Sequence, residues 1–152
     1  MERKSKKVRV VETTVGAAID DAFSALETLG GEMRDAYDNT PESLQQSDVG
    51  NMRDEAANVL EGLSQPDVPQ KLYDIPCSYT EDRRLYQSRS RQRDEAVCML
   101  DAARCALEEF NVGSVATGDE GEELDSDRDT LVEEVQQLIE DAEGVEFPGR
   151  NG

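Results

Sequence analysis

Residues 14–38 read TVGAAIDDAFSALETLGGEMRDAYD, and this stretch decides the fold. Ile19, Phe23, Leu26, Gly30, Met33 and Tyr37 recur at steps of 4, 3, 4, 3 and 4. That is the spacing of the buried seam of a packed α-helix. Ala18, Ala22, Ala25 and Leu29 widen the apolar stripe. The spacing predicts a helix over 14–38, ended by Asn39-Thr40-Pro41, because a residue before proline is driven out of helical geometry. Gly30-Gly31 weakens the helix by about 1 kcal/mol per Gly relative to Ala. A hinge is one reading; close approach of a neighbouring helix at Gly30 is preferred.

Further helical patterns follow outward. Thr40 reads as an N-cap with Pro41 at the first position of a short turn through Leu44. A helix over 48–63 is capped by Ser47 or Asp48, shows the seam Val49, Met52, Ala56, Val59/Leu60 and Leu63, and ends near Gly62. Pro66, Pro69 and Pro76 rule out a regular helix over 64–79. Val68, Leu72, Tyr73 and Ile75 make that connector apolar enough to be stapled across the core. The next helix is expected over 80–111, with Thr80 as its N-cap. Its seam is Ala96, Leu100, Ala103, Leu107 and Phe110. Gln87 to Asp94 contains nothing apolar, so those turns should meet something polar or project past the core. Gly113, Gly118, Gly121 and the run Asp119-Glu120-Gly121-Glu122-Glu123 predict a flexible acidic loop at about 112–126. A last helix over 127–142 is capped by Ser126 or Asp127, buries Leu131, Val135, Leu138 and Ala142, and stops at Gly144. Phe147 in the following tail is expected to dock back onto the bundle. Residues 8–12 are strand-like but have no evident partner, so 1–13 reads as a basic arm. The expected architecture is an all-α, single-domain helical bundle of about four helices over 14–143, with that arm and a tail at 144–152.

The charge is segregated. The chain of 152 residues carries 16 Lys/Arg and 35 Asp/Glu, a formal net charge of −19. Residues 108–146 hold fifteen of the acids and one basic residue, Arg128. Arg83, Arg84, Arg89, Arg91 and Arg93 cluster mid-chain, and Arg3, Lys4, Lys6, Lys7 and Arg9 lie at the start. Such segregation points to binding. Histidine is absent, which removes Ser-His-Asp and Cys-His nucleophile systems and His-containing zinc sites. Cys77, Cys98 and Cys105 are odd in number, and two turns of helix hold Cys98 and Cys105 about 10 Å apart, too far for a bridge. They are expected to be buried reduced thiols in a reducing compartment. No apolar signal core and no run of about 18 apolar residues is present, so neither export nor a membrane span is expected.

Three constellations invite a chemical reading. Asp125-x-Asp127-x-Asp129 opens like a calcium-binding loop, but the sixth position is Thr130 where Gly is needed and the twelfth is Gln136 where Glu is needed. Helix-start chemistry is the better account. Glu120-x-x-Glu123 and Glu140-x-x-Glu143 have the spacing of Mg²⁺-holding pairs in all-α nucleotide pyrophosphohydrolases, yet the first is expected in the Gly-rich loop without the rigid helix such a site needs, the second flanks the end of the last helix, and no Lys or Arg beside them is arranged for phosphate. Such pairs ordinarily mark a solvated face. The arginines wind around their helix and demand anionic company: the acidic half of the chain, a partner subunit, or phosphate. The overall charge opposes attraction to DNA and favours the first. Tyr79 and Tyr86 nearby suit base stacking or the core equally well.

Asp21-Ala22-Phe23-Ser24, Glu32-Met33-Arg34, Tyr37-Asp38-Asn39 and Pro41-Glu42-Ser43-Leu44-Gln45 carry a resemblance. So do Leu60-Glu61-Gly62, Pro66-Asp67-Val68-Pro69 and the run from Ala142 to Gly149. Together they resemble a family of small acidic proteins of tailed bacteriophages. The resemblance touches both ends of the chain and matches the middle only in helical character. It implies a phage protein in host cytoplasm or packaged in the virion, and it transfers no catalytic or binding residue. The expectation is a non-enzymatic protein acting through protein–protein contacts, without cofactor or metal. Its polar contacts would be Arg83, Arg84, Arg89, Arg91, Arg93, Asp119, Glu120, Glu122 and Glu123. The partner is a host or phage protein or a second copy; nucleic acid and membrane are not expected partners. An acidic DNA mimic acting on a host nucleic-acid-binding protein is the alternative, and a carboxylate metal enzyme a distant third.

Overall fold

The computed structural model describes residues 8–82 and 88–147. Thr14 accepts a 3.3 Å hydrogen bond from Ala17 N and so caps α1, Val15–Asp38. Helix α2, Asp48–Glu61, is capped by Ser47 and ends on Gly62, as its sequence predicts. Its buried face differs: Val49 is exposed, and Gly50 turns inward against the Gln45 carbonyl, where a side chain would not fit. The short helical turn expected after Thr40 is present at Glu42–Leu44, but Pro41 precedes it and Thr40 does not cap it. The Thr40 hydroxyl donates back to Ala36 O at 2.7 Å and accepts from Arg53, closing the end of α1.

Helix α1 is the centre of the bundle, with α2 on one side and α4, Arg89–Glu109, on the other; α5, Gly118–Glu143, packs on α4. Ile19, Leu26, Leu29, Met33, Leu60, Leu72, Leu100, Leu107, Leu131 and Val135 are fully enclosed. The close-approach reading of Gly30 holds: a Cβ there would meet Leu60 Cβ at 3.0 Å, whereas Gly31 faces open space. A second close approach lies at Gly16, where a Cβ would fall inside the Tyr73 ring. Tyr73 belongs to the short α3, Gln70–Tyr73, and its hydroxyl donates to Asp20 at 3.1 Å. With Val15 N donating to Ile75 O at 2.8 Å, the connector is stapled along α1 as expected. Of the predicted seam of α4, Ala96, Leu100, Ala103 and Leu107 are buried, whereas Phe110 follows the helix as its C-cap and is half-buried; the seam of the last helix (Leu131, Val135, Leu138, Ala142) is buried, and Phe147 does dock back.

Three expectations are corrected. Residues 8–13 are not an arm. They belong to β1, Val8–Thr14, which pairs antiparallel with β2, Pro76–Asp82, in register from Val8 opposite Asp82 to Thr14 opposite Pro76. Consequently Thr80 lies in a strand, and α4 begins instead after Ser88, which accepts from Arg91 N at 3.2 Å. Finally, the acidic loop is largely helix. Only a turn near Val112–Ser114 precedes α5, which starts at Gly118 with φ +64, a conformation glycine adopts without strain. Leu124 anchors these early turns in the core, and Ser126 and Asp127 lie inside the helix. The outcome is a mostly α, single-domain bundle carrying one two-stranded ribbon among the described residues. Of the arm, residues 1–7 lie outside the described residues, as do 148–152 of the tail.

Candidate interaction surface

Helix α5 holds its charge on a rigid frame. Leu124, Leu131, Val135, Leu138, Ile139 and Ala142 fix one face against the bundle. The opposite face presents Asp119, Glu120, Glu122, Glu123, Asp125, Asp129, Glu133, Glu134, Glu140, Asp141 and Glu143 to solvent. Asp125 and Asp129 are bound by Arg128, at 2.5 and 2.8 Å, rather than gathered around a cation position. Among the described residues no three His, Cys, Asp or Glu side chains come together as a metal-ligand group. Near the start of the helix, Glu120 pairs with Lys71 of α3 at 3.4 Å.

Two arginines stitch α4 and α5 together at their ends. Arg93 donates to the carbonyls of Ala142 and Val145, both at 2.9 Å, while Arg128 donates to those of Leu107 and Phe110 at 3.3 and 3.2 Å. The last carbonyls of a helix have no partner within it and carry its negative dipole end, so a guanidinium satisfies both needs. These contacts also fix α4 and α5 as antiparallel.

That geometry separates the two groups of polar contacts expected from sequence. Arg83 and Arg84 lie outside the described residues, and so does Tyr86. Arg89 pairs with Glu32 of α1 at 3.3 Å, Arg91 is exposed, and Arg93 is enclosed under Phe147. All three sit by the C-terminal end of α5, whereas Asp119, Glu120, Glu122 and Glu123 occupy its start. At 1.5 Å per residue, Glu123 and Ala142 are about 28 Å apart. Arg89 thus gains anionic company from Glu32, and Arg93 from Asp94 and from the carbonyls at the end of α5.

A second feature lies on the other side of α4. A groove of about 710 Å³ runs between β2 and the stripe Cys98, Asp101, Ala102, Cys105, Ala106 and Glu109. No disulfide links the three cysteines, but their burial differs from expectation: Cys105 is exposed, and Cys77 and Cys98 are half-buried. They sit on the groove because this stripe of α4 faces neither α1 nor α5, so no helix covers it. Burial nevertheless pushes the Cys77 thiol upward in pKa. Nothing in the spacing of 77, 98 and 105 signals this shared position, since strand and helix must first be placed side by side.

No described helix is long and apolar enough to cross a membrane. Comparison with protein-family models, with curated proteins and with solved structures finds no match to this chain.

Proposed function

We propose that this is a non-enzymatic interaction protein whose α5 face binds a basic surface on a protein partner, of phage or host origin, in the bacterial cytoplasm. The observation that carries the reading is the ordered acidic helix. A flexible acidic loop adds solubility, but carboxylates fixed on a buried frame present a constant pattern without the entropy cost of ordering on binding. The test is capture of partners from bacterial lysate at low and moderate salt. The control is a variant with Asp119, Glu120, Glu122 and Glu123 each changed to Lys. Partners held at low salt by the native protein and lost by the variant support the reading; equal recovery by both makes the acidic face a solubiliser and ends it.

DNA mimicry is a second reading, favoured by charge density. Over α5 twelve acids and Arg128 give a net charge near −11. Spread over about 39 Å of helix, that is roughly one charge per 3.5 Å, close to the ~3.4 Å per phosphate of one DNA strand. If mimicry is correct, the captured partner binds duplex DNA, and adding duplex DNA releases the protein in proportion to its occupancy.

A further inference from the structure

The groove beside β2 touches Pro76, Cys77, Ser78, Tyr79 and Thr80, five residues in succession. Successive strand residues point to opposite faces of a sheet, so a cavity lying over one face meets every second residue. Contact with all five places the cavity along the strand's edge. The other edge of β2 is taken by β1, and the sheet has two strands. Among the described residues, the backbone groups of residues 77–80 have no hydrogen-bond partner beyond that ladder. The groove therefore has an open row of strand N–H and C=O groups as one wall and a helix as the other.

We propose that this groove is a docking site for an extended peptide segment that adds a third strand to β2, with side chains in the order basic, any, small apolar, any, basic. Three observations fix that chemistry. Unpaired strand edges are templates for further pairing; Pro76 blunts the first position of β2, and residues 77–80 carry no Lys, Pro or bulge. The helix wall is built from Ala102, Cys105 and Ala106, short side chains that leave room for a Val-sized group between backbone and helix. Glu109 stands at one end of this apolar stretch, and Asp101, which already holds Arg104 through one carboxylate oxygen, stands at the other. Eight helical residues separate them by about 12 Å, and four strand steps cover about 13 Å, so basic groups at positions one and five of the peptide reach both carboxylates. A second copy of this chain is a poor occupant: each copy carries a formal charge of −19 and would bring Asp101 and Glu109 against their own counterparts. This site is separate from the α5 face and does not depend on the function proposed for it.

The probe is a fluorescein-labelled, end-blocked peptide Ser-Lys-Thr-Val-Thr-Lys-Ser, followed by anisotropy and by hydrogen exchange of residues 77–80. Saturable binding with slowed exchange at the free-edge amides is expected. The same peptide with N-methyl groups on the amides facing β2 should bind about 10-fold more weakly, since it forfeits main-chain hydrogen bonds while keeping its charge. Ala102→Trp should weaken binding by a similar factor, and Glu122→Gln with Glu123→Gln should leave it unchanged. The N-methyl comparison uses the native protein, so misfolding of Ala102→Trp would not obscure the answer. Absence of binding, equal binding of the N-methyl peptide, or free-edge amides already protected in the protein alone would each overturn the proposal.

Discussion

Arg93, in the second turn of α4, donates a 2.9 Å hydrogen bond to the carbonyl oxygen of Ala142 at the far end of α5. Its guanidinium also lies 5.7 Å from the centre of the Phe147 ring, and its side chain is 14% exposed. One residue thus closes α5, holds the tail and clamps two helices. Arg93→Ala should cost about 2–3 kcal/mol, the range for enclosed charge-assisted hydrogen bonds with a stacked ring. Arg89→Ala, which breaks a more exposed pair with Glu32, should cost less than about 1 kcal/mol. Urea denaturation of both variants checks the contrast; equal losses would show that Arg93 acts only through charge.

Gly16 and Gly31 lie in the same helix with opposite surroundings. Gly16→Ala should destabilise by about 1–3 kcal/mol, because its methyl group displaces the Tyr73 ring and strains the Asp20 hydrogen bond. Gly31→Ala should stabilise by about 0.5–1 kcal/mol, since nothing opposes the added Cβ and alanine favours helix. Thermal denaturation reads both signs, and a gain in Tm from Gly16→Ala would contradict the packing described.

Stability should fall on the alkaline side. Burial raises the pKa of Cys77 and Tyr79, and the hydrogen bond to Asp20 raises that of Tyr73. The folded state therefore holds these protons more tightly than the unfolded chain does. Their contribution is fully present below the unfolded values, ~8.5 for Cys and ~10 for Tyr, and is lost as pH rises through the higher folded ones. The urea midpoint should decline above about pH 8.5, more steeply above about pH 10, and Tyr73→Phe should soften the steeper part. A flat profile to pH 11 would refute the assignment.

Salt should stabilise this protein. Like charges crowd the outer face of α5, while the cross-element ion pairs are partly exposed and few among the described residues. Screening then relieves more repulsion than attraction. Tm should rise between 20 mM and 500 mM NaCl, and Glu133→Gln with Glu134→Gln should raise Tm at low salt while shrinking that rise. Destabilisation by salt would mean that the ion pairs outweigh the repulsion.

Helices α1, α2 and most of α5 were legible in sequence because their seams repeat at helical spacing over several turns. β2 was not. Thr80-Glu81-Asp82 has the composition of a helix start, and the alternation of Cys77, Tyr79 and Glu81 is brief. Its partner lies more than sixty residues upstream, beyond the reach of any local pattern. The first turns of α5 were hidden by Gly118, Gly121 and dense charge, with Leu124 the sole buried residue to signal them. Of the surface residues, the acids were legible as a group but not as an ordered face. The bonds from Arg93 and Arg128 to helix-end carbonyls carry no sequence signal, since any backbone carbonyl looks alike. The groove required two elements to be set side by side before Ala102 and Asp101 acquired meaning.

The ribbon also orders events during synthesis. Val8–Thr14 is synthesised before its partner, and the strand that pairs with it is complete only when Asp82 has been added. At about 5–20 residues per second, the interval is roughly 3–14 s. For that time a nascent strand bearing Val8, Val10 and Val11 has both edges open, and its own Arg9 with the adjoining Lys6 and Lys7 outweighs Glu12 and opposes pairing with identical strands on neighbouring nascent chains.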